Sequence, residues 1–106
     1  MATRSYIGKR LEDGKIRYIY CHFDGYPSHN GEILVEHYTT EDKVTALVNL
    51  GAMRSLESNP SDCLVYGEDY YEGNMEDFLD GSVSYYYLFD KGEWQCFDFK
   101  GDQVVY

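Results

Sequence analysis

Lys15-Ile16-Arg17-Tyr18-Ile19-Tyr20-Cys21-His22-Phe23 is the stretch that decides the fold, and Asp24-Gly25-Tyr26-Pro27-Ser28-His29-Asn30-Gly31 follows it directly. Alternate residues of a strand face opposite ways. Ile16, Tyr18, Tyr20 and His22 therefore share one face, and Arg17, Ile19, Cys21 and Phe23 share the other. Large groups on both faces predict a central strand with at least one face fully covered. Just before it, Glu12-Asp13-Gly14 predicts a hairpin turn, because Asp-Gly tolerates positive φ, and residues 3–8 supply the partner strand.

Beyond the loop, Ile33, Leu34 and either His37 or Tyr38 fall at helical spacing, which predicts a helix over 31–38 with Ser28 or Asn30 as its N-cap. Thr39 or Thr40 caps a second helix with Glu41 and Asp42 in its first turn, where the helix dipole favours acids. Val44, Leu47, Val48 and Met53 are candidates for its apolar stripe, and Gly51 is a C-terminal stop. Asn59-Pro60 marks a loop over 55–61, and Cys63-Leu64-Val65-Tyr66 reads as a strand. A single helical turn is expected around 74–79. Residues 83–89 and 93–99 form a second hairpin around Asp90-Lys91-Gly92, with Tyr85, Tyr87 and Phe89 facing opposite to Tyr86 and Leu88. Val104-Val105-Tyr106 adds an edge strand. The order predicts an α+β fold in one domain, residues 1–106. Its sheet is largely antiparallel, built from two hairpins plus one or two extra strands, with two short helices packed on it.

Composition narrows the classes. A chain of 106 residues with 43% hydrophobic content is globular rather than disordered. No apolar core of a signal peptide stands at the beginning, and no run approaches the roughly 20 apolar residues that span a bilayer. Cys21, Cys63 and Cys96 are odd in number and lack Cys-x-x-Cys spacing, which predicts buried, reduced thiols and a cytoplasmic protein. The net charge of −10 is unevenly placed. Residues 1–54 balance seven bases against seven acids, whereas residues 55–106 set twelve acids against Lys91 and Lys100 alone. Such a balance disfavours contact along a nucleic-acid backbone.

Three readings of function follow. In the first, the basic, tyrosine-rich hairpin and the glycine-containing loop bind a small nucleotide-type ligand without turning it over. Arg4 and Arg17 would hold phosphate, Tyr6, Tyr18, Tyr20 or Tyr26 would stack a base, and His22, Asp24 and His29 would read polar edges. In the second, the acidic segment Glu68, Asp69, Glu72, Glu76, Asp77 and Asp80 imitates a phosphate backbone and occupies a nuclease or CRISPR effector of a host. The third makes His22 and His29 an acid/base pair of a small hydrolase. A metal set of His22, Asp24 and His29 matches no firm spacing template, and no cofactor motif is present. The abundance of tyrosines leaves room for self-association.

The stretches Ala2-Thr3-Arg4-Ser5-Tyr6-Ile7, Ile19-Tyr20-Cys21-His22-Phe23-Asp24-Gly25-Tyr26-Pro27 and Leu34-x-Glu36-His37-Tyr38 resemble a family of small, largely uncharacterised phage and prophage accessory proteins. The likeness covers the first half of the chain and fades after Leu56. It carries no catalytic residues. It implies a counter-defence setting, in which small proteins sequester nucleotide immune signals or inhibit nucleases.

Overall fold

The Asp13–Gly14 turn joins strands β1 (Ser5–Arg10) and β2 (Ile16–Cys21) in the computed structural model, which describes residues 2–65 and 69–104. Gly14 takes φ 89° and donates its N–H to the Leu11 carbonyl at 3.0 Å, the geometry a hairpin asks of that position. The strands pair antiparallel with Ser5 opposite Cys21 and Ile7 opposite Ile19.

Three helices follow from different local signals. A wide turn over Pro27–Gly31 runs without a break into α1 (Glu32–His37). Neither Ser28 nor Asn30 caps it by side chain, contrary to expectation, because Asn30 is turned inward and fully buried. Helix α2 (Glu41–Val48) is capped by Thr40, whose Oγ1 accepts from Lys43 N at 3.3 Å. It ends before Gly51, which sits at φ 90°, so Met53 does not extend the helical stripe. Met53 instead opens strand β3 (Met53–Ser55), which lies parallel to β2 at Cys21. Strand β4 (Leu64–Val65) pairs with β3, and Tyr66, expected in the same strand, lies outside the described residues.

Strand β5 (Tyr71–Gly73), which the sequence pattern does not announce, pairs with the first half of β2. Helix α3 (Met75–Phe78) carries a capping box between Asn74 and Asp77. Strands β6 (Tyr85–Asp90) and β7 (Glu93–Asp98) form the second hairpin, whose turn places both Lys91 (φ 54°) and Gly92 (φ 79°) in the left-handed region. Strand β8 (Gln103–Val104) closes the edge, and Val105 and Tyr106 lie outside the described residues.

Among the described residues eight strands make one sheet in the order β4-β3-β2-β1-β6-β7-β8, with β5 added beside β2. Two parallel contacts, β1–β6 and β2–β3, join otherwise antiparallel pairs, so the fold is α+β with a mostly antiparallel sheet. The β1–β6 pairing sets the two hairpins side by side. It brings residues some eighty positions apart into register, with Ser5 opposite Tyr85.

Each face of the sheet has its own core. On one, Ile7, Ile19, Tyr87 and Cys96 meet Leu34 of α1 and Val44 and Leu47 of α2. On the other, Ile16, Tyr18, Tyr86 and Leu88 meet Phe78 of α3 and Val83. Burial of apolar area on both sides of β1, β2 and β6 is the main source of stability. All three cysteines are free and buried. Among the described residues no helix is long and apolar enough to cross a membrane.

Candidate functional site

The loop after β2 is a plug on the end of the sheet. Asp24 takes φ 58°, and the chain turns back so that Gly25 N donates to the Thr3 carbonyl at 2.8 Å. A Cβ at Gly25 would lie 2.8 Å from Ser5 Cβ and from Thr3 O, so only glycine allows this approach. The buried Tyr87 donates its hydroxyl to the Gly25 carbonyl at 2.6 Å, and Asn30 Nδ2 donates to Ser5 Oγ and Cys21 Sγ. These bonds satisfy buried polar groups that would otherwise oppose folding.

The polar groups of this loop engage one another. His29 Nδ1 is 3.0 Å from Asn30 Oδ1, and the exposed Tyr26 donates to Asp24 Oδ1 at 3.3 Å. His22 stands apart, its Nδ1 2.7 Å from the Tyr20 hydroxyl, and no hydrogen bond joins it to His29. Among the described residues no three His, Cys, Asp or Glu side chains are grouped to hold a metal ion.

Alternation along β2 separates the expected binding residues. Arg17 points to the face opposite Tyr18 and Tyr20. There its guanidinium is held by Glu72 Oε2 at 2.7 Å and Asn49 Oδ1 at 2.6 Å, and it lies over the Tyr70 ring. It therefore does not join Tyr18 and Tyr20 in one pocket. Tyr18 is only 7% exposed and donates to the Asp77 carbonyl at 3.3 Å, which leaves its ring no free face for stacking. Burial, with the charges of Tyr6, Asp80 and Asp77 adding to it, pushes the Tyr18 phenol up to about 12.

Tyr6, Tyr20 and His22 do share one side of the sheet, and Arg4 stands just before β1. Tyr6 is the hub, its ring centroid 5.0 Å from Tyr18, 5.8 Å from Tyr86 and 6.4 Å from Tyr20. Its hydroxyl lies 3.0 Å from Ser82 Oγ and 3.4 Å from Asp80 Oδ2. Asp80 Oδ1 also accepts from Ser82 N at 2.9 Å, from Ser82 Oγ at 2.6 Å and from Tyr86 Oη at 3.4 Å. Partial burial works to raise the Asp80 pKa, but the bonds from Ser82, Tyr6 and Tyr86 outweigh it and hold the carboxyl below its ordinary value.

Ser82 connects this network to an open, mainly polar cleft of about 410 Å³. Arg4, Ser82, Ser84 and Phe99 line it, with the backbone of Gly81. Arg10 and Arg17 are ion-paired and Arg54 lies over Phe23, whereas the exposed Arg4 guanidinium has no partner among the described residues. Phe99 is 60% exposed, and the Lys100 ammonium sits 5.7 Å from its ring centroid. Phe99, Ser82 and Ser84 carry no motif. They reach Arg4 only through the parallel pairing of β1 with β6 and the hairpin from β6 to β7.

No family model, curated protein or solved structure matches the chain. The cleft must be read from its own chemistry.

The acidic segment is partly consumed by folding. Glu72 holds Arg17, Asp77 closes the capping box of α3, and Asp80 anchors the loop before β6. Asp69 and Glu76 are exposed, while Glu68 lies outside the described residues.

Proposed function

We propose that this protein binds and sequesters a small nucleotide-derived ligand in the cleft between Arg4 and Phe99. The observation that carries the reading is the unpartnered guanidinium of Arg4 in a polar cleft that also presents an exposed aromatic ring. Guanidinium matches phosphate through its planar fork, and an aromatic face accepts any nucleobase. The hydroxyls of Ser82 and Ser84 add short polar contacts on the same wall. Arg17, Tyr18 and Asp24 drop out of the binding set. Tyr20 and His22, reached across the Tyr6 ring, do not line the cleft. Binding rather than turnover is the function assigned, with the ligand released intact. The resemblance of the first half to phage accessory proteins supplies a setting, counter-defence against a nucleotide immune signal, for which the host cytoplasm is the compartment.

Titration calorimetry of the full chain against adenine and guanine nucleotides, cyclic nucleotides and ADP-ribose tests this. Binding by at least one of them, weakened roughly tenfold or more in Arg4→Ala and Phe99→Ala, is the expected result. No binding across that panel, or binding unaffected by both substitutions, overturns it. Recovery of chemically altered ligand after denaturation would show that the protein is an enzyme.

A further inference from the structure

Resting on that reading, we infer that the cleft selects its ligand by charge: it takes a singly charged phosphodiester and rejects polyphosphates, with Asp80 as the specificity-determining residue. Among the described residues Arg4 is the one guanidinium lining the cleft, while Lys100, its ammonium 5.7 Å from the Phe99 ring centroid, lines a separate cleft beside Glu76. Against Arg4 stands Asp80, one hydrogen bond behind the lining residue Ser82.

The bonds from Ser82 and the two tyrosines keep Asp80 ionised at neutral pH. Its position is also set rigidly, since it binds both the backbone and the hydroxyl of Ser82. The single guanidinium of the cleft is thus opposed by one fixed anion within a chain of net charge −10. One guanidinium fork can still hold one phosphate. Each further charge on the ligand finds no cation of its own and meets the field of Asp80.

The experiment measures the affinity of the full chain for cyclic AMP, AMP and ATP, without divalent metal, at low and at high salt. These probes keep one base and raise the charge. Cyclic AMP should bind most tightly, with a loss of roughly fivefold or more to ATP that shrinks as salt screens the charges. Asp80→Asn should bring the two affinities together by raising that for ATP. ATP binding as tightly as cyclic AMP at low salt, or a preference for cyclic AMP unmoved by both salt and Asp80→Asn, overturns the inference. If Asp80→Asn does not fold, the salt dependence alone decides. Arg4-dependent binding without the ranking by charge refutes only the charge filter. No binding of any of the three, together with none across the wider nucleotide panel, removes the nucleotide reading as well.

Discussion

Asn30 and Ser5 are both sealed from solvent, and Asn30 Nδ2 donates to Ser5 Oγ at 3.3 Å. This bond ties the loop after β2 to the first residue of β1. It lies next to Arg4, so the same contact that closes the core fixes the backbone of the cleft. The proposed site and the sealed core therefore meet at one end of the sheet.

Asn30→Ala should destabilise the fold by about 1–3 kcal/mol, because it removes the buried donor that serves both Ser5 Oγ and Cys21 Sγ in a dry site. The shift in urea midpoint at constant slope measures it. A change within about 0.5 kcal/mol, the range of ordinary surface substitutions, would mean that the bond contributes little.

Gly25→Ala should cost about 1–3 kcal/mol through overpacking. The added methyl would meet the Thr3 carbonyl and the Arg4 carbonyl carbon at 2.8 and 3.0 Å, and these are backbone atoms that cannot rotate aside. The comparison is Gly81→Ala. A Cβ there meets nothing within 4 Å, but its φ of 82° strains any other residue, so its cost is conformational only. Ligand affinity should fall in Gly25→Ala, since Arg4 moves with its backbone.

Stability should be level near neutral pH and decline above about pH 9. Burial, only partly offset by hydrogen bonds, raises the Cys21 and Cys96 thiols from 9.0 to about 11, and burial with nearby charges raises the Tyr18 phenol from 10.0 to about 12. Over that range the unfolded chain has already lost these protons while the folded chain keeps them. Folding is then opposed more strongly as pH rises, and the stability is lost through the folded values. Urea midpoints from neutral pH upward check this. Tyr18→Phe should soften the decline above about pH 10, and an unchanged midpoint through the alkaline range would refute the assignment.

How much of this was legible in the sequence depends on contact range. The alternation of Ile16 to His22, the Asp13–Gly14 and Lys91–Gly92 turns, and the Thr40 cap are local signals, and the structure places each where the pattern does. Strands β3 and β5 are three residues each, too short to show a period, and they exist because β2 offers them an edge. The alternation of β2 already set Arg17 opposite Tyr18 and Tyr20, so one pocket containing all three was excluded by the strand period itself. Phe99 and Ser82 could not be paired with Arg4 in advance. The parallel β1–β6 contact that unites them spans most of the chain and leaves no periodic trace.

Arg4 and Arg17 should therefore behave in opposite ways. Arg17 joins β2 to Glu72 of β5 and to Asn49 just after α2, so Arg17→Ala should destabilise the fold. Its partners are partly exposed, with side-chain accessibilities of 25% and 39% for Arg17 and Glu72, so solvent screening limits the loss to about 0.5–1.5 kcal/mol. Among the described residues Arg4 makes no side-chain hydrogen bond or ion pair to lose. Arg4→Ala should leave the urea midpoint within about 0.5 kcal/mol of the parent while abolishing most nucleotide binding. Measuring stability and calorimetric affinity on both variants separates the roles. If Arg17→Ala loses binding and Arg4→Ala keeps it, the phosphate site lies on the other face of the sheet.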